Sequence, residues 1–179
     1  QGERINRQKP WDLCRKGLAR TFQIVKPFAS RTVLYNVMVG AFAGTDKRSE
    51  AERRAHEVLA HLNLAHLAER PAGSLTIADR KRLEIAKALA TRPRLLLLDE
   101  VMAGLRPTEV DEMVAIIKRL RESGMTVFVI EHIMRAIMAL SDRVAVLHFG
   151  VKIAEGTPQE IAHDERVIKA YLGDEYAAA

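Results

Sequence analysis

The 179-residue sequence has the length of one domain, and 48% hydrophobic with 28% charged residues is the balance of a globular protein with room for one core. Apolar runs such as 95–98 and 127–130 fall far short of the roughly 20 residues of a membrane-spanning helix, and residue 1 opens a polar segment with no secretory or lipidation signal. The net charge of +5 is scattered over helical patterns (Arg15, Lys16, Arg53, Arg54, Arg80 to Arg82, Lys118, Arg119), and with 5% aromatic residues it lacks the interleaving of a base-stacking surface.

The charges therefore read as solvated helix faces with some attraction to a membrane surface, and nucleic acid is not an expected partner. Cys14 stands alone, which excludes an internal disulfide and fits a reducing cytoplasm.

In chain order, the first clear element lies in 49–70. There Ala55, Val58, Leu59, Leu62, Leu64 and Leu67 recur at near-helical spacing, closed by Pro71 and Gly73, as one amphipathic helix or two. Leu83, Ile85, Ala86, Leu89 and Ala90 mark a helix that starts near Arg80 and stops before Pro93. Four leucines, 95–98, follow as a strand expected to be buried on both faces. Residues 108–123 form another amphipathic helix ended by Gly124, and 125–130 a second buried strand. A helix over about 133–140 precedes two short strands, 143–148 and 151–155, with a tight turn at Phe149-Gly150. Pro158 and Gln159 open a last helix, and 173–179 is an alanine-rich frayed end.

Strands alternating with helices predict a parallel sheet whose ligands lie beyond the carboxyl ends of the strands. Asp99-Glu100 follows the first apolar run there, and Glu131-His132 follows the second. Two carboxylates directly after four leucines are costly unless a cation or donors compensate. In a phosphoryl-transfer site the first would hold Mg²⁺ and the second would orient water. The alternative is that the pair emerges into solvent or caps a helix. His132 could donate to a transferring phosphoryl group or be structural; the other five histidines show no metal spacing. Thr76 and Asp79 resemble a capping box, whose helix N-terminus is either an anion site or an ordinary cap.

The order of short strings carries more. Ala19 to Gln23, Thr32 to Val37, Arg82 to Ala86, Leu95 to Glu100, Ala103 to Leu105, Glu131-His132, Ser141 to Arg143 and Glu155 to Pro158 together resemble the ATP-binding subunits of ABC transporters, especially those of branched-chain amino-acid importers. The resemblance covers nearly the whole chain. It implies an α/β, P-loop NTPase-like (RecA-like) parallel sheet core with an inserted helical subdomain at 24–90, a core segment with the Walker B residues at 91–160, and a C-terminal helix and tail at 161–179.

Residue by residue, Gln23 matches the Q-loop glutamine at the Mg²⁺ and γ-phosphate site, Asp99 the Walker B aspartate and Mg²⁺ ligand, Glu100 the catalytic glutamate and His132 the switch histidine. Thr76, Ile77, Ala78 and Asp79, after Leu75, occupy the signature position that faces ATP held by the opposite subunit, and Ala103 to Arg106 the D-loop. The implied cofactors are ATP and Mg²⁺. The implied partners are a second ATP-binding subunit, transmembrane permease subunits and, indirectly, a substrate-binding protein, with a peripheral place on the inner face of the membrane.

Three departures stand out. No Gly-x-x-x-x-Gly-Lys-Ser/Thr occurs, so the phosphate nest and its lysine are expected before a strand-like segment at 2–5, in an N-terminal portion that the chain lacks; alone, it is not expected to turn over ATP. Ala78 and Asp79 replace the usual glycine and glutamine of the signature, adding a Cβ and a negative charge where phosphate would approach. Val101 and Arg106 replace a usual proline and aspartate. A nucleotide-binding-deficient interaction module and a soluble ABC ATPase are the competing readings.

Overall fold

The computed structural model describes residues 2–172, and they form two compact units, 2–131 and 132–172. The division falls inside the 91–160 segment that the sequence reading treats as one core.

The first unit opens with a short helix, α1 (Pro10–Arg15), and a three-residue strand, β1 (Leu18–Arg20). Neither was anticipated, and the strand-like segment at 2–5 is irregular. Next come α2 (Val33–Ala41), α3 (Arg48–His61) and α4 (Ile77–Leu89), then β2 (Leu95–Asp99), α5 (Pro107–Glu122) and β3 (Thr126–Ile130). The sheet order is β1-β2-β3 and both pairings are parallel, with Arg20 opposite Leu97 and Asp99 opposite Ile130. Gly124, at φ +92°, ends α5 in the left-handed conformation that suits glycine.

Burial of the strands differs from expectation. In β2 only Leu96 and Leu98 are fully covered, whereas Phe128 and Ile130 of β3 are exposed. β3 is an edge strand of this sheet among the described residues, and Phe128 and Ile130, two residues apart, share one of its faces.

The helical lobe is held by α2 against α3 and α4. At Gly40 the α2 backbone comes so near α4 that a Cβ there would lie 2.3 Å from the Lys87 carbonyl oxygen. Arg54, 4% exposed, donates to the carbonyl oxygens of Ala41 (3.2 Å) and Ala90 (3.5 Å) at the C-terminal ends of α2 and α4, where a cation complements both helix dipoles. Arg54 and Lys81 are thus interior residues, contrary to the reading of the basic residues as solvated faces.

The second unit contains α6 (Met134–Leu140), the antiparallel hairpin of β4 (Val144–His148) and β5 (Val151–Gly156), α7 (Pro158–Ala162) and α8 (Glu165–Leu172). The two-residue turn places Phe149 and Gly150 at φ +46° and +80°, the handedness that matches the strand twist. The expected last helix is two helices, because the chain leaves α7 at His163 and Asp164 starts a new one, its carboxylate accepting from the Arg166 N–H at 2.9 Å. Ala154, Ile161 and Val167 form this unit's core with Met138, Val144, Val146 and Ile153. Residues 173–179, expected as a frayed end, lie outside the described residues.

Candidate functional site

Three of the predicted residues meet at the carboxyl end of the first unit's sheet. Thr21 continues β1: its N–H donates to the Leu97 carbonyl (2.9 Å), and its hydroxyl accepts from the Asp99 N–H (3.2 Å). This pins the departing β1 chain beside the end of β2 and delivers Gln23 to Glu100. There Gln23 Nε2 donates to Glu100 Oε2 across 77 residues of sequence. Asp99, its side chain 23% exposed, accepts from Arg20 Nη2 at 2.8 Å.

Glu100 adopts φ +47°, a left-handed conformation that costs a non-glycine residue on the order of 1–2 kcal/mol. The surrounding bonds hold it there. Its N–H donates to the Ile130 carbonyl (3.0 Å), continuing the ladder of β2 and β3, and its carbonyl accepts from Lys81 Nζ (3.0 Å). Glu131 Oε1 accepts from the Met102 N–H (2.8 Å) and fastens the rest of the turn.

A hollow of about 570 Å³ adjoins these groups, lined among others by Arg20, Gln23, Lys26, Glu84, Lys87 and Asp99. Three cations face two carboxylates, a balance that suits an anion. Among the described residues no three His, Cys, Asp or Glu side chains gather as a metal cage. One partly exposed carboxylate with a neighbouring amide nonetheless fits Mg²⁺, which is typically held by one or two carboxylates together with water and phosphate oxygens.

The signature-position residues sit at the start of α4, which begins at Ile77 rather than near Arg80. Thr76 is the N-cap: its hydroxyl accepts from the Asp79 N–H (3.1 Å) and donates to Asp79 Oδ2 (2.7 Å), so the box expected from sequence is closed on one side only. Arg82 Nη1 lies 3.7 Å from Asp79 Oδ1 and offsets part of its charge. Ala78 is buried while Ile77 is 62% exposed, so the side chain presented outward is that of Ile77. His132 is the first residue of the second unit, two positions past the end of β3, and its carbonyl accepts from the Tyr171 hydroxyl at 3.2 Å.

Two participants escaped the sequence reading, Arg20 and Lys81. Lys81 carried a signal: Ala78, Lys81 and Ile85 fall at i, i+3 and i+7, so the lysine lies on the packed stripe of α4.

The profile of the family described as "ABC transporter" matches residues 1–103, and that of "Branched-chain amino acid ATP-binding cassette transporter" matches 151–177. The chain is 41% identical over 189 residues to the high-affinity branched-chain amino acid transport ATP-binding protein BraF of Pseudomonas aeruginosa, covering 97% of this chain and 74% of that protein. It is 39% identical over 178 residues to LivG of Escherichia coli, described in the same words, covering 90% and 70%. A solved nucleotide-free ATP-binding cassette from an ABC transporter superposes with TM-score 0.83 at 28% identity, covering 96% of this chain and 75% of that one.

Proposed function

The chain belongs to the ATP-binding proteins of ABC transporters, transport-coupled ATPases with a P-loop NTPase-like α/β fold, and from that premise we propose that it powers an importer of branched-chain or related amino acids. The observation that carries the mechanistic part is the convergence of Gln23, Asp99 and Glu100 at the carboxyl end of the sheet, with Gln23 bonded to Glu100. The likeness to BraF and LivG, together with the branched-chain profile over 151–177, supports the substrate class.

In this reading Asp99 and Gln23 hold Mg²⁺, which would neutralise phosphate charge when bound. Glu100 orients and deprotonates the attacking water, and His132 donates a hydrogen bond to the transferring group. Thr76, Ile77, Ala78 and Asp79 face the ATP of a second ATP-binding subunit. Permease subunits receive the coupled motion through the Gln23 loop, and a substrate-binding protein delivers the amino acid. No helix among the described residues is long and apolar enough to cross a membrane, which suits a peripheral subunit on the inner face.

The test uses the full gene product assembled with its permease. Glu100→Gln should keep ATP binding and lose turnover by about 10²-fold or more, because only proton acceptance is removed. Asp99→Asn should instead weaken Mg²⁺-dependent binding. Binding protein loaded with leucine, isoleucine or valine should stimulate hydrolysis. Turnover by Glu100→Gln equal to the parent would refute the site; stimulation only by an unrelated solute would refute the substrate class.

A further inference from the structure

The geometry points to Lys81 as a positioning residue that sets the Gln23 loop and the Glu100 turn relative to each other, an inference that rests on the ATPase reading above. Lys81 is 8% exposed and lies on the packed face of α4. An interior ammonium must be compensated, commonly by a carboxylate. Here its hydrogen bonds run to two backbone carbonyls, those of Glu100 (3.0 Å) and Gln23 (3.4 Å).

These bonds close a ring. Lys81 holds the carbonyl of Glu100, the Glu100 carboxylate takes the Gln23 amide, and the Gln23 carbonyl returns to Lys81. The Glu100 side-chain bond is partly open to solvent and by itself weak. The ammonium is the covered member of the ring, and it acts on the oxygen of a residue at φ +47°. A strained conformation persists only where its surroundings over-determine it. Without Lys81 the peptide after Glu100 loses its charged donor and can turn toward ordinary φ, carrying the carboxylate off Gln23. Displacement of a reacting group by ~1 Å can cost about 10²-fold in rate.

One helix thereby fixes two segments that are far apart in sequence. The helix runs unbroken over 13 residues and begins with the signature-position residues, so the start of α4, the Gln23 loop and the Glu100 turn are tied to one element.

The experiment compares the parent with Lys81→Met, Lys81→Arg and Glu100→Gln in the full gene product, measuring ATP turnover and amide hydrogen exchange. Lys81→Met should lower kcat about tenfold or more with KM for Mg-ATP within about twofold. Exchange should quicken at 23–26 and 100–103 but not in α3 or β2, and Lys81→Arg should recover part of both. A kcat for Lys81→Met within about twofold of the parent, with Glu100→Gln inactive, would overturn the inference. So would quickened exchange throughout α2, α3 and α4 with no recovery by arginine, which describes a lysine needed only for packing. If the parent does not turn over, or Glu100→Gln equals it, the ATPase reading fails by itself. Exchange then decides Lys81: a local change in the two segments supports the role, and unchanged exchange refutes it.

Discussion

The left-handed backbone at Glu100 can be tested by comparing Glu100→Gly with Glu100→Ala. Both substitutions remove the carboxylate and its bond from Gln23, a loss of about 0.5–1.5 kcal/mol each that cancels in the comparison. What remains is the backbone. At an ordinary helical or extended position alanine is the more stable by roughly 0.5–1 kcal/mol, because glycine loses more entropy on folding. At φ +47° the Cβ penalty of about 1–2 kcal/mol falls on alanine and not on glycine. The order should therefore reverse, with glycine ahead by about 1 kcal/mol. For a chain of this size that corresponds to roughly 2–4 °C in Tm. The assay is thermal and urea unfolding of the two variants side by side, with ATP turnover measured on the same preparations. Both should lack turnover. Alanine equal to or more stable than glycine would refute the claim that this turn stores strain for the site.

Gly40→Ala poses the opposite conflict. Helix propensity alone would raise stability by about 1 kcal/mol, yet the new Cβ would meet the Lys87 carbonyl oxygen at 2.3 Å. That oxygen is backbone and cannot swing aside, so the variant should be destabilised by about 1–2 kcal/mol net in urea unfolding. In the second unit, Glu160 accepts from the Thr157 N–H (2.7 Å) and hydroxyl (3.0 Å), and these bonds, the backbone one first, hold its carboxyl below the ordinary glutamate range. A depressed folded pKa gives stability that is present above the unfolded value and lost as pH falls through the folded one. Unfolding midpoints should thus be flat from neutral pH down to about 5 and decline below about 4, with a shallower decline in Glu160→Gln.

Where periodicity is strong, local sequence determined the element. The four leucines before Asp99, the 16-residue α5 and the two-residue turn at Phe149-Gly150 were all legible, since burial period and turn chemistry act over a few neighbouring residues. The short strings along the chain likewise disclosed the family. β1 was not legible, because three residues carry no period and its strand state is imposed by pairing with β2. The split of the last helix was missed for a related reason: Asp164, which engages the N–H of Arg166, reads locally as one more polar helix residue.

Only the tertiary structure decided the burial of Arg54 and Lys81, because a basic residue on an apolar stripe is affordable only where folded backbone supplies carbonyl oxygens, as the helix ends do for Arg54 and the Glu100 turn does for Lys81. The same holds for the site itself. Gln23 and Glu100 are candidates in sequence, but their contact spans 77 residues and arises from parallel pairing of β1 with β2. The handedness of the Glu100 backbone was equally invisible, since no local preference favours it. It results from the Ile130 carbonyl and the Lys81 ammonium acting from two other elements, and those donors and acceptors meet only once the sheet and α4 are in place.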